Sequence, residues 1–212
     1  MMMNTPAWQR MKNWSDQFRE PIKEIMGVSF VEFTDTHDDM HNAADFMIFK
    51  TRNAGFTGAR IRSLCDISKF DAKSAGWYYQ QYTIRQMVAS GRKTELFKLL
   101  HDAIPEYYIY GFGNVSFPVM AEEEGKKPAI VYANVLDMKP WREHILMQLS
   151  YGKIPWVGKE NGRAGDSKFS VFWLSDLPKG VIIKTIGEPP KDDVPLDIDS
   201  LGIDQMLGGG QK

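Results

Sequence analysis

The sequence predicts a mixed α/β fold, a sheet with helices on its faces, ending in an acidic tail. Three observations carry this reading. Apolar residues recur every three or four positions over 7–26 and again after Pro140, which is helical spacing. Between these stretches lie short runs rich in aromatic and β-branched residues, separated by polar, Gly or Pro punctuation, which is strand spacing. Finally, 43% hydrophobic and 25% charged residues over 212 positions are ordinary for a folded domain with a core of its own.

Taken in order, Trp8, Met11, Trp14, Phe18, Ile22, Ile25 and Met26 mark an amphipathic helix over 7–26. Pro21 falls inside it, so it is expected to kink or to divide into two short helices. Val28 to Phe33 fits a short strand, and the polar stretch 34–42 a loop or helical turn. Ala43 to Lys50 and Phe56 to Cys65 read as a hairpin, with Asn53-Ala54-Gly55 supplying the turn. Trp77 to Met87 reads as the next strand, and Lys93 to Ala103 as a helix. Tyr107 to Phe112 and Ala129 to Leu136 are strands. Pro140 opens a helix at its favoured first-turn position, and Phe169 to Leu174 and Val181 to Ile186 close the body. No fixed-period repeat is present.

Charge is unevenly distributed. The segment 187–212 holds six acids and two lysines, a net of −4, which leaves +3 for residues 1–186 out of a total of −1. With three prolines, a triple glycine and only scattered apolar residues, this tail reads as disordered or loosely docked. It is expected either to keep the chain soluble or to act as an acidic arm that gates a basic site or recruits a protein partner. The body, 1–186, reads as one domain. The lone Cys65 excludes an intramolecular disulfide and fits a reducing compartment, and the sequence shows neither a signal-peptide layout nor a membrane span, so a cytoplasmic location without membrane contact is expected.

Strand alternation places Arg60 and Arg62 on one face, about 7 Å apart. Two adjacent guanidiniums are stable in solvent, beside carboxylates such as Asp45 and Asp66, or facing a phosphate. Arg85 shares a strand face with Thr83, and if the strands are neighbours the three arginines converge. Asp45, at the mouth of an apolar strand, needs either a cationic partner or a metal. Asp39 lies six residues before it, and Glu95 sits in the first turn of the helix after Gly91. Together they could hold a hard cation such as Mg²⁺. His37 and His41 have metal-pair spacing but lack the companion glutamate, and a polar loop cluster accounts for them. Nucleotide-cradling glycine loops and a serine nucleophile elbow are absent from the sequence. The aromatic residues Trp77, Tyr78, Tyr79, Tyr82, Tyr107, Tyr108 and Tyr110 could form core or stack bases.

The blocks Asp39 to Asp45, Ala59 to Arg62, Tyr82 to Arg85, Gly91 to Leu96 and Tyr108 to Phe112 come in the same order as in a group of uncharacterised proteins of tailed phages and bacterial mobile elements. The chain over 13–186 resembles that group, which looks like a distant branch of the PD-(D/E)XK nuclease-like superfamily. The resemblance implies a restriction-endonuclease-like α-β-β-β-α-β core and a Mg²⁺-dependent phosphodiesterase directed at nucleic acid, DNA before RNA. It assigns Asp45 as the first metal-binding acid. Arg60-Ile61-Arg62 stands where that superfamily has an acid, a spacer and a lysine, and an arginine can neither ligate a metal nor readily act as a base. The expected site is then Asp45, Glu95 and Arg62 for catalysis, with Asp45, Glu95 and Asp39 on the metal. Arg60, Arg85, Thr83 and Lys93 would lie along the nucleic-acid backbone. The competing expectation is a protein that binds single-stranded nucleic acid without cutting it, its access regulated by the acidic tail.

Overall fold

The computed structural model describes residues 7–27, 30–33, 46–50, 53–64, 79–88, 94–102, 105–117, 119–160 and 167–189. Asp39, Asp45, Lys93, His37, His41, Cys65 and almost all of the acidic tail lie outside the described residues. The fold is mixed α/β, built on two sheets.

The expected N-terminal helix is two helices, α1 (Ala7–Asp16) and α2 (Arg19–Met26). The break comes at Gln17 and Phe18, before Pro21. Pro21 occupies the third position of α2, inside the first turn, where a missing N–H costs no helical bond. Gly27 ends α2 in the left-handed region at φ 62°, with its N–H turned back to the carbonyls of Lys23 and Glu24. Trp14, Phe18, Ile22 and Ile25, at helical spacing, are all buried.

Strands β1 (Phe30–Phe33), β2 (Phe46–Lys50) and β3 (Asn53–Ser63) form an antiparallel meander. The hairpin is tighter than the sequence implied. Lys50 pairs with Asn53, and Asn53-Ala54-Gly55 already belong to β3. Gly55 answers a close approach, since a Cβ there would stand 2.9 Å from the Glu106 carboxylate.

The next strand, β4 (Gln81–Val88), is not a neighbour of this hairpin. It pairs antiparallel with β8 (Ser167–Trp173), which pairs in turn with β7 (Val157–Glu160), making a separate three-stranded sheet. The place beside β3 is taken by β5 (Tyr107–Gly113), running parallel to it. The intervening β4 and the short helix α3 (Glu95–Phe97) provide the long crossover that a parallel pair requires. α3 continues as a π-helical turn over Lys98–Asp102, where one regular helix was expected. Antiparallel β6 (Ile130–Asp137) and β9 (Ile182–Ile186) complete the six-stranded sheet, ordered β1-β2-β3-β5-β6-β9.

Helix α4 (Met138–Ser150) starts two residues before Pro140, because the Asp137 carboxylate caps it by accepting from the Lys139 N–H at 3.0 Å. No helix among the described residues is long and apolar enough to cross a membrane.

The six-stranded sheet separates two cores. Ala59, Ile61, Ile109, Ala133 and Val135 on one face pack with Trp14, Phe18, Ile22 and Ile25 of the helix pair. Tyr108, Tyr110, Phe112, Tyr132 and Leu136 on the other face pack with Tyr82, Ile84 and Phe172 of the smaller sheet and with Trp141 and Ile145 of α4. The helix pair is keyed to its face at Gly113, where a Cβ would lie 2.2 Å from Phe18 Cζ. Phe18 is fully buried and has nowhere to retreat. Gly113→Ala is therefore expected to lower stability by about 1–3 kcal/mol, read from urea denaturation. An unchanged midpoint would show that the Phe18 ring is free to move.

Candidate functional site

By strand parity Arg60 and Arg62 both fall on the face of β3 turned toward the smaller sheet, opposite Tyr110 and Phe112 of β5. The sequence placed these two arginines on one face, and that holds. Arg85 is reached differently from the way its spacing implied. It comes from the second sheet, opposite Phe169 of β8, yet it arrives at the same place. The Arg60 guanidinium lies over the Phe169 ring at 4.9 Å from its centroid, and that of Arg85 at 5.9 Å.

Glu95 joins them. Thr94 caps α3 by accepting from the Phe97 N–H at 3.3 Å, and Arg142 reaches from α4 to the carbonyls of Leu99 and Pro105, fixing the other end of this segment. Glu95 Oε2 accepts from Arg60 Nη1 at 3.1 Å and from the Arg85 backbone N–H at 3.1 Å, while Oε1 accepts from the Tyr108 hydroxyl. Arg62 Nη1 donates to the Tyr110 hydroxyl at 3.3 Å, and Thr83 Oγ1 lies 3.4 Å from the same oxygen. Two strands, β3 and β4, and one short helix thus bring together Arg60, Arg62, Thr83, Arg85 and Glu95, five of the residues the sequence singled out. The remaining three, Asp39, Asp45 and Lys93, lie outside the described residues.

The electrostatics are lopsided. Three guanidiniums and one carboxylate leave these four groups at a net +2. Burial acts to lower the Arg60 pKa, but the Glu95 carboxylate and the Tyr108 and Tyr110 hydroxyls outweigh it, so the guanidinium is held more firmly protonated than usual. Arg60 and Glu95 side chains are each 23% exposed, so the pair opens to solvent at its edge. Arg85 Nε is buried and has no hydrogen-bond partner among the described residues.

As placed, Glu95 does not fit a metal ligand. A cation at Oε2 would face a guanidinium nitrogen 3.1 Å from the same oxygen. Among the described residues no three His, Cys, Asp or Glu side chains gather to hold a metal ion. The aromatic residues are likewise committed elsewhere. Tyr79, Tyr82, Tyr108 and Tyr110 are between 0% and 4% exposed and form core, so their faces are closed to bases. Trp77 and Tyr78 lie outside the described residues. Phe169, the ring that both guanidiniums cover, was not singled out by the sequence. Its role depends on β4 pairing with β8, which no local pattern announces.

No family model matches the chain, and neither the curated proteins nor the solved structures compared with it contain a match.

Proposed function

We propose that the protein binds nucleic acid by its phosphodiester backbone, through Arg60, Arg62 and Arg85, and does so without cutting it. One observation carries the reading: a buried Arg85 Nε without a hydrogen-bond partner among the described residues, beside a second guanidinium on the same aromatic ring. A buried unsatisfied donor costs about 1–3 kcal/mol, which an acceptor recovers when the Arg85 side chain turns its Nε outward to meet it. Guanidiniums suit phosphate oxygens, and their planar fork accepts them in pairs. The net +3 of residues 1–186 adds long-range attraction of the same sign. With Tyr79, Tyr82, Tyr108 and Tyr110 in the core, recognition falls on the backbone, so little sequence preference follows.

Metal-assisted cleavage would require Glu95 to abandon Arg60, Tyr108 and the Arg85 N–H, and would draw its other acids from Asp39 and Asp45. Binding requires no such rearrangement.

Fluorescence anisotropy with a labelled single-stranded oligonucleotide tests the reading. Affinity is expected to fall steeply with salt. Arg60→Ala and Arg85→Ala should each weaken it about five- to tenfold, whatever the sequence, and lower the salt slope by about one. The oligonucleotide should stay intact with Mg²⁺ or Mn²⁺. Absence of binding by the unsubstituted protein at about 50 mM salt overturns the reading.

A further inference from the structure

The three donors on Glu95 come from three different strands: a guanidinium from β3, a backbone N–H from β4 and a phenol from β5. Strands locked in sheets hold such donors rigidly. The acceptor is mounted differently, on three α-helical residues that pass at once into a π-turn. It is also part-exposed, with 23% of its side chain open to solvent. A guanidinium, a phenol and an amide converging on one point form a receptor for an oxyanion, and a carboxylate and a phosphate use the same donors. The fixed half of the arrangement is the receptor, and the exchangeable half is Glu95.

We propose that Glu95 is a built-in competitor for phosphate: its carboxylate occupies the seat that a backbone phosphate takes when nucleic acid binds, and it withdraws toward solvent as the phosphate enters. The inference rests on the binding reading above and adds its regulation. It also accounts for how a cluster rich in guanidiniums stays folded when empty, since the carboxylate offsets Arg60 until a phosphate replaces it.

Anisotropy with the same oligonucleotide, alongside calorimetry with inorganic phosphate, separates the outcomes. Glu95→Gln keeps the shape and removes the charge, and is expected to tighten oligonucleotide binding about tenfold at low salt. Adding Tyr108→Phe, which removes a donor from the seat, should reverse part of that gain. Glu95→Asp keeps the charge but is one methylene too short to hold all three donors, and should give a smaller gain. It decides the matter if Glu95→Gln does not fold. If the unsubstituted protein binds and neither variant binds oligonucleotide or inorganic phosphate more tightly, the competitor role is overturned and the binding reading stands. If no form binds either oligonucleotide or inorganic phosphate, both fall. A gain confined to inorganic phosphate keeps the competitor role and overturns nucleic acid as the ligand.

Discussion

Trp141→Ala is expected to destabilise the protein by about 3–5 kcal/mol, the largest effect of any single truncation proposed for this chain. Trp141 is wholly buried, and its ring meets Phe172 edge-on at 5.7 Å. Its Nε1–H donates to the hydroxyl of Tyr82, which is itself fully buried and stacked on Phe172 at 5.0 Å. One side chain therefore ties α4 to two strands of the smaller sheet, β4 and β8. Truncation opens a cavity and leaves the Tyr82 hydroxyl without its donor. Tyr82→Phe, which leaves the indole N–H unsatisfied instead, should cost about 1–3 kcal/mol. Urea denaturation of both single variants and the double variant gives the coupling between them. A loss below about 1 kcal/mol for Trp141→Ala would mean that α4 contributes little to holding the smaller sheet.

Glu95→Ala should cost about 2–4 kcal/mol, for a different reason. The methylenes lost matter less than the donors abandoned. Arg60 keeps its charge in a largely desolvated place, and the Tyr108 hydroxyl and Arg85 N–H lose their acceptor. Pairing Glu95→Gln with Arg60→Met removes the charge from both sides and is expected to be milder than Glu95→Ala alone, since an uncompensated charge is costlier than none. If the double variant proves the less stable of the two, the ion pair itself stabilises the fold beyond satisfying its partners. Thermal unfolding of the three proteins side by side makes the comparison.

Local patterns carried much of this fold. Alternation over β3 fixed Arg60 and Arg62 to one face, because the side-chain period of a strand leaves no other choice. The apolar spacing of Trp14, Phe18, Ile22 and Ile25 marked the buried stripe of the helix pair, although the break fell before Pro21 and not at it. Pairing beyond the β2–β3 hairpin was not legible. β4 has the composition of a strand, but nothing in its residues distinguishes β3 from β8 as its neighbour, so the second sheet went unseen. β7, with the sequence Val-Gly-Lys-Glu, has no strand signal and is extended because β8 is there to bond it.

The site was legible in its members and not in its wiring. Arg60, Arg62, Arg85, Thr83 and Glu95 stood out by residue type, whereas the bond from Arg60 to Glu95 spans 35 positions and depends on where α3 is delivered by the crossover. The sequence showed Glu95 only as a first-turn carboxylate, and its engagement with three separate strands became visible only in the folded chain.

The route of the chain between β3 and β5 has a last consequence. The backbone leaves the larger sheet after β3, contributes β4 to the smaller one, and returns to lie alongside β3 again. The same threading recurs after α4, when β7 and β8 precede the return to β9. The two sheets are stitched through each other in sequence, so no single cut releases either as a contiguous fragment. They are bound to melt as one cooperative unit, and homologous exchange or deletion of either sheet by itself is closed to this architecture.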